Sequence, residues 1–555
     1  MPNRQRYTKN DEPDIYIFDN ATCQLYPASR DEYSTNNSIN TLFWISKMNQ
    51  AVKLLNPKHT VLDASVIIIG SGFSGMAMAI ALKKAGVDFL ILEKGDEVGG
   101  TWRDNTYPGA ACDVPSHMYC YSFEPKRWSR SFAAQPEILD YTKTVAQKYN
   151  LYSHIQFNAE VVKAAYLDDE AIWCVELKNG QKRYARVVVS ARGALHIPSY
   201  PNIKGLRDFK GVTMHSAQWN HHADLKGKRI AVIGTGASAI QVVPEMAKVA
   251  SELYVFQRTP AWVVPKADFP FKDATKDKYE QKPLARLLYR NKIYWILEAG
   301  AIGFVLDPRM MKIGQKLAFK NLGKVQDETT RAALTPHYTM GCKRVLLSNN
   351  FYPAFNQPNV HLVSGAVSEI KADAVVSGGQ DYPVDVIIFC TGFDVTNQVN
   401  QFDITGRQGA SIRQHWKDGM HAYLGISSHH FPNAFFLLGP NTGLGHNSII
   451  FMIESQARYI AQAVAYMKKN KLKALEVDQQ VEQDFVDRVQ QQSKKSVWQS
   501  GCDSWYLDAS GKNTTLWPSF TFMYWLKTRY FDASKYVADK KVFNFNPVKR
   551  LLAKV

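Results

Sequence analysis

The sequence predicts an α/β fold with two Rossmann-like dinucleotide-binding domains, the first discontinuous and the second inserted into it, plus a helical insertion. Three observations predict this. Residues 66–85 and 229–250 each read as apolar strand, glycine turn and helix. Strand-like apolar runs return after the second unit, at 385–389 and 435–438. Between these, a broken apolar and basic stretch, 284–324, interrupts the second unit with helical spacing.

The first unit opens on Val66, Ile67, Ile68 and Ile69, four β-branched residues with no charge, which suit a strand buried on both faces. Gly70, Gly72 and Gly75 follow at G-x-G-x-x-G spacing, with Phe73 inside the turn. The first glycine permits the turn, the second lets backbone approach a pyrophosphate, and the third lets helix pack on strand. The helix start offers unpaired N–H groups to a diphosphate. A second run, 89–92, ends in Glu93, where an acid takes a ribose hydroxyl pair.

Residues 99–113, GGTWRDNTYPGAACD, make a shaped loop rather than a regular element, and Tyr119 follows shortly. Val161 and Val162 sit in a strand-like run, and 187–189 form a further buried strand. Pro198 and Pro201 mark a crossing between domains. His215, in the segment 209–219, lies in this crossing and has no ligand partner at a metal-binding spacing; taken alone it reads as structural.

In the second unit, Gly234, Gly236 and Ala239 give G-x-G-x-x-A, with Thr235, Ala237 and Ser238 in the same turn. The next strand ends in Gln257, Arg258 and Thr259. An acid there would repel a 2′-phosphate, whereas Arg258 can bind one through charge-assisted bonds. The first site therefore reads as one for FAD and the second as one for NADPH. Lys343 and Arg344 open a later apolar run, and a helix is expected from Ile449, its N-terminus suited to a flavin ring. The expected division is an N-terminal extension with an amphipathic helix at 1–63, the first domain at 64–205, and the second at 206–384 with its helical insertion at about 275–335. The first domain resumes at 385–525, and a basic tail occupies 526–555.

A chain of 555 residues has room for two or three domains. The start, MPNRQRYTKNDEPD, has no apolar signal core, and no uncharged apolar run is long enough to span a bilayer. The seven cysteines are scattered without a C-x-x-C, which argues against a zinc or dithiol centre and fits a reducing cytosol. No metal is expected. The net charge of +17 is spread among acids with no nucleic-acid motif, so it points to anionic cofactors or an anionic surface. Lys312, Lys316, Lys320 and Lys324 fall four apart, a solvated face or, with the apolar run before it, a peripheral membrane contact; the insertion can equally wall a pocket. The protein is expected in the cytoplasm, with membrane association through 284–324 or the basic tail left open.

Two longer patterns carry a family resemblance. Phe209, Gly211, His215 and Trp219 match F-x-G-x-x-x-H-x-x-x-W, with Asn220 departing at the next place, where Pro or Asp is usual. Gly99, Gly100, Trp102, Tyr107, Pro108, Gly109 and Asp113 match G-G-x-W-x4-Y-P-G-x3-D in full. Over about 64–520 the chain resembles the class B flavin monooxygenases, and among them the Baeyer–Villiger monooxygenases. Trp219 stands where nitrogen- and sulfur-oxidising members carry Tyr.

The resemblance implies FAD and NADPH as cofactors, a ketone and O2 as substrates, and a flavin peroxide that attacks the ketone. It makes Arg344 the active-site arginine, Asp113 its carboxylate neighbour and Lys343 a nicotinamide-cofactor contact. It places Thr101, Trp102, Tyr119, Val162 and Ile449 on FAD, and gives His215 a role in domain movement. The segment around Trp505 resembles a pocket-lining region of relatives of hydroxyacetophenone monooxygenases, which makes Trp505 a candidate gate. Two alternatives stay open: heteroatom or hydrocarbon oxygenation on the same scaffold, and a membrane-associated flavoprotein without oxygen insertion.

Overall fold

The computed structural model describes residues 60–395, 402–502, 504, 506–508 and 510–539, with two short strands nearer the start. Those strands, Tyr16–Asp19 and Gln24–Pro27, pair antiparallel in a unit of their own. The amphipathic helix expected before residue 60 and the candidate gate Trp505 lie outside the described residues.

The strand Ala64–Ile69 is buried along its whole length, as its charge-free sequence requires. It pairs in parallel with Phe89–Leu92 on one side and Lys182–Ser190 on the other. Val66, Ile67 and Ile68 are wholly excluded from water; each such side chain contributes about 1.5–3 kcal/mol. The helix Phe73–Lys84 buries nine of its twelve residues. It lies between this sheet and the long helix Ile449–Asn470, which explains the lack of charge before Lys83. An antiparallel meander, Val161–Leu167, Ile172–Leu177 and Lys182–Ser190, extends the sheet. Two later strands complete it: Asp403–Thr405 beside Val161–Leu167, and Ala434–Phe436 beside Lys182–Ser190.

The second sheet is wholly parallel, in the order Val360–Ser364, Glu252–Gln257, Arg229–Ile233, Val386–Phe389, Val212–His215. One boundary moves as a result. The strand Val386–Phe389, expected to reopen the first domain, is zipped between Arg229–Ile233 and Val212–His215 and belongs to the second sheet. The insertion is helical: Asp273–Gln281, Pro283–Val305, Met311–Leu322 and Glu328–Ala333.

The expected basic tail is also docked further than its composition suggests. Tyr536–Asp539 pairs antiparallel with Ala474–Val477. Tyr536 is buried, its hydroxyl 3.1 Å from Ser427 Oγ and 3.3 Å from the Tyr459 hydroxyl. Nor do the cysteines all stay unpaired: Cys342 and Cys502 form a disulfide across 160 residues of chain.

Candidate functional site

Both glycine turns sit at the C-terminal ends of their central strands and open into one cavity of about 1430 Å³. Gly70, Gly72, Phe73, Glu93, Thr101, Trp102, Asp113, Tyr119 and Ile449 line it from the first domain. Gly234, Thr235, Gly236, Ala237, Ser238, Arg258, Thr259, Lys343 and Arg344 line it from the second. Two predicted contacts stand elsewhere. Val161, not Val162, faces the cavity, because successive residues of a strand point to opposite faces. Gly75 lies behind the turn, where a Cβ would fall 1.9 Å from the Gly70 carbonyl oxygen. It serves packing rather than the ligand.

The residues present fit two dinucleotides. The helix Phe73–Lys84 is capped by Gly72 with no side-chain hydrogen bond, so its first N–H groups are open to an anion. A Cβ at Gly236 or Gly193 would meet no protein atom within 4 Å, although both glycines line the cavity. The backbone there is bare toward a ligand. Arg258 is exposed at the end of its strand, beside the second turn. Glu93 is more engaged than a bare ribose acceptor. One oxygen accepts from Ser71 N and Oγ, the other from Gly95 N and Arg103 Nη1, each at 2.8 Å. Burial opposes its charge, but Arg103 and these bonds outweigh burial and hold the carboxyl below the usual range.

The 99–113 loop is clamped to the second domain. The Tyr107 hydroxyl donates to Gln241 Oε1 at 2.9 Å, and Gln241 Nε2 donates to the Ala111 carbonyl at 3.0 Å. Gly109 has φ +82°, and a Cβ there would stand 2.7 Å from the Gln241 carbonyl oxygen. Gln241 lies on the helix Ala239–Met246 directly after the second glycine turn. The loop signature thus joins the two cofactor cradles edge to edge, two residues before Asp113.

Asp113 accepts from both Nε, at 3.2 Å, and Nη2 of Arg344. About a third of each side chain is exposed, and both line the cavity. Burial opposes the Asp113 charge, but Arg344, with Lys266 behind it, holds the carboxyl below its usual range. Asp113 in turn keeps Arg344 charged beyond its ordinary value. Tyr506 is buried against Arg344; burial pushes its phenol up while the guanidinium draws it down. Trp102 Nε1 donates to the Tyr119 hydroxyl at 3.0 Å, fixing two cavity aromatics edge to face. Lys343 Nζ rests 5.3 Å from the Tyr338 ring centroid.

Behind the cavity-lining Asn447, Glu298 of the insertion is buried and accepts from Asn447 Nδ2 at 2.7 Å and Thr521 N at 3.1 Å. Asn447 stands two residues before the helix Ile449–Asn470, so this carboxylate pins the helix start that faces the cavity. His215 ends its strand wholly buried, with Nδ1 accepting from Ala217 N at 3.1 Å. Burial holds its imidazole down to about 4, in keeping with a structural rather than catalytic role.

Several residues of this site had no signal in the sequence. Gln241 and Glu298 are ordinary polar positions on helices until the fold sets them against other segments. Arg192 lines the cavity 4.7 Å from the Phe402 ring centroid, beyond the reach of any motif. Tyr506 carries no motif of its own, although it is the residue next to Trp505. Among the described residues two groups, His415–His421–Glu482 and His429–His430–Glu476, also gather ligand atoms within 4.8 Å. Glu482 in the first is occupied by His421 Nδ1, Ser428 Oγ and His429 N at 3.0, 2.7 and 2.6 Å.

A family model described as flavin-binding monooxygenase-like matches residues 63–500. A Baeyer-Villiger monooxygenase of Pseudomonas aeruginosa is 45% identical over 477 residues, covering 85% of this chain and 90% of that protein. One from Streptomyces coelicolor is 42% identical over 480 residues, covering 85% and 92%. Among solved structures, OTEMO in complex with FAD and NADP superposes with a TM-score of 0.77 at 28% identity, covering 85% of this chain and 98% of that one. The glycine cradles, the bridging loop and the guanidinium–carboxylate pair all lie within residues 63–500, the span that the family model matches, and the chain belongs to the flavin-binding monooxygenase-like family, among its Baeyer–Villiger monooxygenases.

Proposed function

We propose that the protein is an FAD- and NADPH-dependent monooxygenase that inserts one oxygen atom of O2 beside the carbonyl of a ketone, giving an ester or lactone. The observation that carries this reading is the Arg344–Asp113 pair on the cavity wall where the two glycine cradles meet. FAD, when bound, supplies the oxygen chemistry and NADPH the hydride. The chain supplies geometry and charge. Gly70, Gly72 and the helix start behind them hold the flavin diphosphate; Gly234 to Ser238 hold that of NADPH, with Arg258 selecting its 2′-phosphate. Arg344 offers a permanent cation to the oxygen atoms that gain negative charge as the ketone is attacked. Asp113 engages its Nε–Nη2 edge and aims the remaining donors. The test is mass spectrometry of products from cyclic, aryl and long-chain ketones with NADPH and labelled oxygen. One labelled atom in an ester or lactone is the expected result. Labelled sulfoxide or N-oxide from heteroatom substrates, with no ester from any ketone, would overturn the reading.

The exposed side of the insertion favours a second statement about partners. Leu284, Leu287, Leu288, Trp295, Ile296 and Leu306 are each more than half exposed, on or next to one helix, Pro283–Val305. Lys312, Lys316 and Lys320 are exposed on the helix that follows, beside Ile313 and Leu317. An apolar face of this size rimmed by lysine suits an anionic bilayer surface. Among the described residues no helix is long and apolar enough to cross a membrane. We read the protein as cytoplasmic with a peripheral membrane seat. Sedimentation with phosphatidylglycerol vesicles, weaker with phosphatidylcholine and abolished by Ile296→Glu, is expected. Equal recovery of the parent protein and Ile296→Glu in the supernatant would remove the membrane from the reading.

A further inference from the structure

The Cys342–Cys502 bond joins the segment that carries Lys343 and Arg344 to the segment that carries Ser504, all three of which line the cavity. The two cysteine Cα atoms stand 6.2 Å apart. Cys342 directly precedes Lys343 and Arg344 and is wholly buried. Cys502 is partly exposed. On its C-terminal side lie Ser504, which lines the cavity, and Tyr506, which packs on Arg344. On its N-terminal side lies Trp498, buried with Val305, Tyr506 and Leu516 in a small core of their own. Gly341, next to Cys342, has φ +95° and room only for hydrogen, with Met311, Val497 and Phe304 side-chain atoms 3.0–3.2 Å from where a Cβ would stand. Four pieces therefore converge within a few residues: the arginine loop, the insertion, the 497–516 wall, and the disulfide as their one covalent tie among the described residues.

We propose that Cys342–Cys502 is a reversible thiol–disulfide site that positions Arg344 against the 497–516 wall, oxidised when the substrate side is held shut and reduced when it is loosened. The inference rests on the reading of Arg344 as the substrate-side cation. The chemistry balances with a dithiol reductant. One of its thiolates attacks Cys502 Sγ, the sulfur nearer solvent, and displaces the Cys342 thiolate, which takes up a proton. The second thiol of the reductant then displaces Cys502 and closes its own disulfide, so two electrons and two protons pass to the protein. Hydrogen peroxide reverses this: one thiol is oxidised to a sulfenic acid with loss of water, and the other thiol condenses with it, releasing a second water. Val497, Trp498, Tyr506 and Leu516 are buried in one cluster held by side-chain packing, and on this proposal that cluster persists in both states while the hold on Arg344 changes.

The experiment uses the FAD-loaded full chain. Free thiols are alkylated before and after dithiothreitol, and the 342–502 crosslinked peptide is sought by mass spectrometry. Peroxide released per NADPH and kcat/KM for the ketone are measured in both states, alongside the rate of flavin reduction by NADPH. Two additional thiols after reduction, a recovered crosslink, and a fall of about tenfold or more in kcat/KM with more peroxide are expected, because a guanidinium displaced by about 1 Å loses most of its effect. Cys502→Ser should show the reduced behaviour with or without dithiothreitol, and Cys502→Ala the same. Failure to form the crosslink even in peroxide-treated protein would overturn the proposal. So would a crosslink whose reduction leaves peroxide release and kcat/KM unchanged, or one that slows flavin reduction as much as insertion, which would mark general loosening. Absence of ester in both states would instead refute the ketone reading, while the thiol count and peroxide release still judge the crosslink.

Discussion

Replacing Arg344 separates the chemistry of the site from its stability. In Arg344→Ala the cavity loses the cation paired with Asp113, and Asp113 keeps only the weaker pull of Lys266 among the charges that hold it ionised. Loss of a donor to a developing oxyanion costs about 10²–10³ in rate, or roughly 3–4 kcal/mol of barrier. The stability cost is smaller than for a fully buried pair, because the side chains are 38% and 33% exposed toward the cavity. About 1–2 kcal/mol is expected rather than the roughly 3–5 kcal/mol of a dry ion pair. Two companions apportion these terms. Arg344→Lys keeps a charge beside Asp113 but loses the two-pronged grip through Nε and Nη2, so stability should hold while insertion falls by at least about tenfold. Asp113→Asn combined with Arg344→Ala removes the stranded carboxylate and should recover part of the lost stability with no recovery of insertion. The assay is ester formed per NADPH consumed, with thermal unfolding on the same samples. An Arg344→Ala protein with full flavin content that still makes ester within about threefold of the parent would refute the assigned role.

Three further outcomes follow from the same geometry. Gly75→Ala places a Cβ 1.9 Å from the Gly70 carbonyl oxygen, so turn and helix must part; a loss of about 3 kcal/mol and poor flavin retention should appear in melting curves and absorbance spectra. Arg258→Ala should raise KM for NADPH about 10–100-fold, the worth of a charged hydrogen bond, and leave KM for NADH unchanged in steady-state kinetics. Glu482 is opposed by burial yet held down to about 2 by His415, His421, the His429 N–H and Ser428, against an ordinary value of 4.5. A lowered folded value means the stabilisation is present above pH 4.5 and lost as pH falls toward 2, up to about 3 kcal/mol in all; urea unfolding across that window should be shallower in Glu482→Gln.

What the sequence disclosed and what it withheld divide along a physical line. The strand at 66–69 and the turns at Gly70 and Gly234 were legible because their constraints are local: no charge where both faces are buried, no Cβ where backbone must approach. Asp113 and Arg344 were legible only through the family patterns, since nothing local announces that side chains 231 positions apart in sequence meet. The boundary at 385 was misjudged because an apolar run says that a strand is buried but not which sheet buries it. Val162, which the resemblance places on FAD, does not line the cavity, whereas its neighbour Val161 does; strand alternation turns a shift of one residue into a change of face. Glu298, Gln241 and the Cys342–Cys502 pair were illegible because each acquires meaning only from a segment far along the chain.

The interleaving of the two sheets also sets an order of birth. Every strand of the second sheet lies between Val212 and Phe389, so that sheet is whole once the ribosome has passed its last strand. The first sheet, begun at Ala64, still lacks Asp403–Thr405 and Ala434–Phe436, and the helix Ile449–Asn470 that covers Phe73–Lys84 comes later still. The portion translated first is thus the portion finished last, and until then it presents an uncovered apolar helix face. A chain cut short between residues 390 and 430 would carry a complete second sheet beside an open first one, a species that chaperones would engage and that flavin could not rescue.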